Sequence, residues 1–221
     1  IVSSVAISPD GKRAASSGHD GTIKVWRLAD EKRLWRHRED CCFRRVAFCA
    51  NGELVAALAL NGTVLLFDVR TGIIVKRINL PGKYVNCGAF FRDGCRAVFV
   101  FDGPDLKVWD LQSNREITRL TGLPGQADSV LLSANERRIA AHGCRAVADE
   151  RIMISAAAVW DSGSNQLICR LEPAKHISQI ILHPNGDILV GHQSELLREN
   201  AHFFQIPAGK LIATATDYGG T

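Results

Sequence analysis

Several features that would assign a chemistry to this chain are missing from it. No apolar run approaches the roughly 18–20 residues that a membrane-crossing helix requires. Within these residues no positively charged start leads into an apolar stretch, so nothing reads as a secretory leader. The seven cysteines, at 41, 42, 49, 87, 95, 144 and 169, show neither the Cys-x-x-Cys halves of a zinc site nor a paired disulfide spacing. Their odd number and scatter point to a reducing compartment, cytoplasmic or nuclear. Neither standard glycine-rich phosphate loop occurs. The net charge of +4 is modest and spread along the chain, which does not point to a nucleic-acid binder.

What is present is repetition. A turn of the Pro-Asp-Gly type is followed fifteen residues later by an aromatic: Gly11 and Trp26, Gly52 and Phe67, Gly94 and Trp109. Two further copies, Glu136 to Trp160 and Gly186 to Phe204, carry extra residues between the same landmarks. A period near forty residues means one supersecondary unit stacked on copies of itself. The fifth position after each aromatic holds Glu31, Gly72, Asn114, Asn165 and Gly209. Four of these five are types that tolerate a left-handed turn, which supports the register.

Each copy reads as four short strands. In the first they are Ser4 to Ser8, Lys12 to Ser17, Thr22 to Trp26 and Arg33 to Trp35, separated by turns at Pro9-Asp10-Gly11, Gly18 to Gly21 and Leu28 to Glu31. The second and third strands are often apolar on both faces, as in Leu54 to Leu60 and Val64 to Phe67. Such strands need cover on both sides. Four-stranded sheets stacked face to face around an axis provide it, which is the β-propeller.

At this point the residues resemble a family. Ser8-Pro9-Asp10-Gly11-Lys12 followed by Asp20-Gly21-Thr22-Ile23-Lys24-Val25-Trp26 is similar to the WD40 (β-transducin-type) repeat, as are Val108-Trp109-Asp110 and Val159-Trp160-Asp161. The resemblance implies an all-β WD40 propeller with five four-stranded blades, at about 1–42, 43–84, 85–126, 127–175 and 176–217. It also implies membership of a larger, seven- or eight-bladed propeller, a complete five-blade ring being the alternative. The family's Gly-His slot is filled by Glu39, Pro81, Leu123 and Pro173, and its Asp slot by Asp20, Asn61 and Gly103. The His-Ser-Asp-Trp hydrogen-bond network is therefore missing, and blades held by apolar burial with looser connecting turns are expected.

The function implied is a non-catalytic scaffold for protein–protein interaction, with other proteins or other domains of the parent chain as partners. No cofactor, metal, catalytic residue or small-molecule substrate is expected. The insertions in copies four and five fall between second and third strands, which emerge on a common face. Charged loops on a rigid scaffold are where binding concentrates, so Arg145, Asp149, Glu150 and Arg151, with Glu195, Arg198 and Glu199, are the candidate partner-binding residues. A second reading uses the basic strip from Lys32 to Arg45 for phosphoinositides, a membrane surface or nucleic acid. Phe43-Arg44-Arg45 begins like a phosphoinositide-gripping motif but continues with Val46, and Glu39 and Asp40 dilute the charge. A third is an enzymatic propeller, for which His142 and His192 stand alone and His183 occupies a turn slot.

Overall fold

The apolar strands of the middle repeats find their cover in neighbouring sheets. The computed structural model describes residues 1–221 apart from Lys83, Asp102, Pro124, 148–149, 172–178, 196–197 and 218–221. Each repeat folds into one four-stranded antiparallel sheet with its strands in sequence order. The first comprises β1 (Val2–Ile7), β2 (Arg13–Gly18), β3 (Thr22–Arg27) and β4 (Lys32–Arg38). The second comprises β5 (Phe43–Cys49), β6 (Leu54–Ala59), β7 (Thr63–Asp68) and β8 (Ile74–Asn79). The third is built from β9 (Cys87–Phe90), β10 (Arg96–Val100), β11 (Leu106–Asp110) and β12 (Arg115–Leu120). The fourth holds β13 (Gln126–Leu132), β14 (Arg138–Val147), β15 (Glu150–Asp161) and β16 (Leu167–Leu171). The fifth holds β17 (Gln179–Leu182), β18 (Ile188–Glu195), β19 (Arg198–Gln205) and β20 (Lys210–Asp217). The chain forms two compact units, Ile1–Asp102 with Val108–Ile117, and Gly103–Lys107 with Thr118–Thr221.

In the first unit the second sheet is buried from both sides. Side chains alternate across a strand, so one parity of β6 and β7 faces one neighbour and the other parity faces the next. Val55, Ala57, Leu65 and Phe67 pack with Ile23, Val25 and Phe43 toward the first sheet. Ala56, Leu58, Val64 and Leu66 pack with Phe90, Phe99 and Trp109 toward the third. In the second unit Ala140, Ala157 and Val159 of the fourth sheet meet Ile180, Leu189 and Phe204 of the fifth.

Two recurrent turns set the strand lengths. The β1–β2 turn closes by Gly11 N–H to Ser8 O at 2.9 Å, repeated by Glu136 to Ser133 and Gly186 to His183, each at 2.8 Å. Ser8 Oγ donates to Asp10 Oδ1 (2.6 Å), and His183 Nδ1 lies 2.5 Å from Asn185 Oδ1 in the same role. His183 is thus a turn residue. In the β3–β4 turn the aspartate after the aromatic accepts backbone N–H groups: Asp68 from Thr71 (2.8 Å), Asp110 from Gln112 (2.7 Å) and Asp161 from Ser164 (2.9 Å). All five residues at the fifth position after the aromatic have positive φ: Glu31 54°, Gly72 71°, Asn114 54°, Asn165 59° and Gly209 64°. Glu31 adopts it too, at the cost of about 1–2 kcal/mol that a β-carbon brings there.

The strand reading holds in outline and shifts at the ends. The first sheet's outer strand runs from Lys32 to Arg38, longer than Arg33 to Trp35, and β5 begins at Phe43 with Arg44 and Arg45 inside it. Phe43 is fully buried. Trp35 carries the tie between the first two sheets. Its Nε1 donates to Val69 O at 2.9 Å, and a β-carbon on Gly72 would stand 2.7 Å from Trp35 Cγ. Gly72→Ala therefore has to displace the indole and hold a strained φ, and a loss of about 1–3 kcal/mol of unfolding free energy is expected. A lower urea midpoint at unchanged slope would show it; an unchanged midpoint would mean that Trp35 is not fixed there.

Candidate functional site

Antiparallel order places every β2–β3 type turn at the same end of its sheet as the connection that leaves the outer strand. In the first unit that end holds an open recess of about 320 Å³ lined by His19, Asp20, Gly21, Arg38, Glu39, Asp40, Cys41 and Cys42. Its walls are fixed by local bonds. Asp20 Oδ1 accepts Thr22 Oγ1 (2.7 Å) and Thr22 N–H (3.2 Å), which closes the turn. Glu39 N–H donates to Gly21 O (2.9 Å), and Cys42 Sγ donates to His19 O (3.0 Å). A β-carbon on Gly21 would collide with the Glu39 carbonyl oxygen, and its φ is +73°. Only glycine allows the two segments to come this close.

Glu39 stands where the family's histidine would, and it makes a different network. Its carboxylate takes Arg77 Nη2 from β8 at 2.6 Å and His37 Nε2 at 2.8 Å. The His37 ring lies 5.0 Å from that of Phe67. The connection is therefore clamped rather than loose, which corrects the expectation drawn from the missing histidine. The Arg77 guanidinium, then His37, hold the Glu39 carboxyl below its ordinary value against the opposing effect of burial. Hydrogen bonds from Thr22 do the same for Asp20. Burial, followed by the nearby Glu39 charge, pushes the Cys41 thiol up. Burial pushes Cys49 up to about 12, so that thiol packs as a small apolar group. Of the three recess carboxylates, Asp20 and Glu39 are already committed to internal partners. The arrangement is a preformed recess, with no acid–base pair poised for transfer among these groups.

The insertions in copies four and five are not irregular loops. Extra residues were added to both arms of each hairpin, so the ladder lengthens: Arg145 pairs with Ile154 and Val147 with Glu150, while Ser194 pairs with Glu199 and Glu195 with Arg198. Pairing gives the described residues of each added arm cross-strand partners, which a loop of the same length would lack. Arg145 thus ends up in β14, Glu150 and Arg151 in β15, Glu195 in β18, and Arg198 and Glu199 in β19. Asp149 lies outside the described residues, as do the side chains of the other six. His142 is buried in β14 opposite Ala157. The basic strip divides in two: Lys32, Arg33, Arg36 and Arg38 are exposed on the outer strand β4, and Arg44 is exposed on β5. No reading of the sequence pointed to the Glu39–Arg77 tie, which spans 38 positions.

Sheets of four antiparallel strands, packed face to face in series within each unit, are β-propeller blades. They are of the WD40 type. The family model "WD domain, G-beta repeat" matches residues 1–27. Over 82 residues the chain is 32% identical to "Small ribosomal subunit protein RACK1z" of Arabidopsis thaliana, covering 37% of this chain and 25% of that one. Over 144 residues it is 27% identical to "Telomerase protein component 1" of Rattus norvegicus, covering 65% and 5%. It is 24% identical over 136 residues to "Angio-associated migratory cell protein" of Homo sapiens, covering 61% and 31%. The chain thus spans between a twentieth and a third of the length of these relatives.

The Glu39 network makes a prediction about pH. A carboxyl whose folded-state pKa is depressed stabilises the fold above its unfolded value, near 4.5, and that contribution is lost as pH falls through the folded value. Thermal midpoints of the native protein should fall between pH 7 and pH 4, and Glu39→Gln should narrow that difference. An undiminished difference in the variant would assign the pH dependence to other carboxylates.

Proposed function

We propose that this chain is a non-catalytic protein-interaction module working within a multi-protein assembly or a longer multi-domain chain. Its units are blades bounded near 1–42, 43–84, 85–126, 127–175 and 176–217. The observation that carries the reading is the WD40 blade with its turn end held rigid, the Glu39 connection being clamped to Gly21 and Arg77. A surface fixed in advance loses little entropy on binding and recognises partners with small backbone change. Relatives named as a ribosomal subunit protein and as a telomerase protein component are, by those names, parts of assemblies, which favours the same role here.

The second and third strands of copies four and five are longer than those of the first three sheets. Their hairpins offer Arg145, Asp149, Glu150 and Arg151, and Glu195, Arg198 and Glu199, as the contact residues. The odd number and scattered spacing of the cysteines suit a reducing cytoplasmic or nuclear setting. Two charge-reversal variants, R145E with R151E and E195K with E199K, test the hairpins. Recovery of partners by cross-linking and affinity capture should drop at least about tenfold, the size of one lost charge-assisted contact or two, with melting temperature unchanged. Full recovery by both variants would remove these residues from the interface.

A further inference from the structure

The outer strand β4 differs from the other outer strands in what its charges do. On β8, Arg77 is held by Glu39 at 2.6 Å and Lys76 Nζ donates to Gln112 O at 2.6 Å. β12 mixes Arg115 and Arg119 with Glu116, while β16 and β20 carry single cations, Arg170 and Lys210. β4 reads Lys32-Arg33-Leu34-Trp35-Arg36-His37-Arg38, with five exposed or half-exposed cationic or ionisable positions and no carboxylate within the strand. Its register puts Arg36 opposite Lys24 and Arg38 opposite Thr22, with Arg33 opposite Trp26 beyond a bulge. Residues opposite one another share a face, so Lys24, Arg33, Arg36 and Arg38 lie on one side of the sheet. Trp35 and His37 take the other side, against Phe67.

The direct Lys24–Arg36 opposition is unfavourable by itself, since like charges facing across strands repel. Along β4, Arg36 and Arg38 are spaced by about 7 Å, two residues of strand rise, and Arg33 follows three residues from Arg36 across the bulge. The second feature is the backbone. β4 pairs with β3 alone, so its far edge presents a row of unused N–H and C=O groups among the described residues.

We propose that the β4 edge receives an acidic, extended segment of a partner protein as an added strand. Backbone pairing along β4 supplies the register, and alternate carboxylates of the segment meet Arg33, Arg36 and Arg38 beside Lys24. The inference rests on the interaction-module reading and names the chemistry of one partner. A membrane surface would call for apolar residues beside the cations at the edge itself; the exposed apolar side chains on that face, Val5 and Ile7, stand on β1 at the opposite edge of the sheet, and β4 turns Leu34 and Trp35 inward against the second sheet. Duplex nucleic acid would draw on the cations and leave the backbone edge unused.

The test uses the whole chain and a fluorescein-labelled octapeptide of alternating Glu and Thr, read by polarisation. A Lys–Thr peptide, a Glu–Thr peptide methylated on alternate backbone nitrogens, phosphatidylserine vesicles and a 20-base-pair duplex run in parallel at equal salt. Glu–Thr should bind and the other four should bind at least tenfold more weakly. R36E with R38E should cost at least tenfold in affinity, and R36Q with R38Q a smaller factor. R36E alone relieves the Lys24 repulsion, so its melting temperature should stay level or rise while binding falls, which a merely structural role would not produce. Absent Glu–Thr binding, equal binding of the methylated peptide, or preference for vesicles or duplex would overturn the proposal. The cations would then serve to keep the edge from pairing with other chains. Retained partner capture by the native chain alongside such a failure sinks the β4 strand site alone; loss of both would sink the interaction reading as well.

Discussion

The structure depends on the two-sided burial of β6 and β7. Val55, Ala57, Leu65 and Phe67 serve one interface and Ala56, Leu58, Val64 and Leu66 the other, so the central hairpin is core on both faces from Val55 to Leu58 and from Val64 to Phe67. Losing one such leucine to alanine typically costs about 2–5 kcal/mol, a large share of a domain's whole margin. This arrangement has a consequence for register. Ordinarily a one-residue slip moves the apolar set into water and is rejected for that reason. A hairpin apolar on both faces gives no such signal. Something else has to fix which residue stands opposite which.

The turns supply it. Asp68 and Asp110 each gather the N–H groups two and three residues ahead, and Asp161 does the same in the fourth sheet. The left-handed residue five positions after each aromatic then ends the turn at a defined length. Its shape is also used: Trp35 lies against Gly72, and in the second unit the Cys169 β-carbon would sit 3.5 Å from one on Gly209. Turn chemistry that fixes register within a sheet therefore also shapes the contact between consecutive sheets. The conserved-looking punctuation of the repeat and its apolar strands do different jobs, and neither suffices alone.

This division explains what could be read from the residues. Spacing between a turn residue and an aromatic is local, and it located the first three sheets directly and the other two once extra residues, and Glu136 in place of glycine, were allowed for. Glu31 was the exception among the left-handed positions by type, yet it follows the repeat because its neighbours impose the turn. Two things were misjudged for physical reasons. Arg44 and Arg45 looked like a connection because charge suggests solvent, but β5 begins with Phe43 buried, and a bulge lets Arg44 face out while Arg45, half-buried, pairs opposite Leu58. The insertions near Arg145 and Glu195 looked like loops because length alone cannot tell an unpaired segment from two arms lengthened together; Ile152, Met153 and Ile154 were the available sign of strand. The Glu39–Arg77 tie was beyond reach, since no local pattern joins positions 38 apart.

That tie also decides where free charge remains. Glu39 is the carboxylate nearest the end of β4, and it is engaged with Arg77 of the neighbouring outer strand and with His37. Asp30, at the other end, is held by Arg27 through two bonds of 2.8 and 2.6 Å. Asp30 and Glu39 are thus spent on clamping the turns at the two ends of β4, and the strand between them carries cations with no carboxylate of its own. Clamped ends and a cationic middle share the same pairings: the bonds that hold the turns keep the Asp30 and Glu39 carboxylates from Arg33, Arg36 and Arg38. Rigidity of the blade and anion-seeking character at its edge are, in this sheet, two results of one distribution of carboxylates.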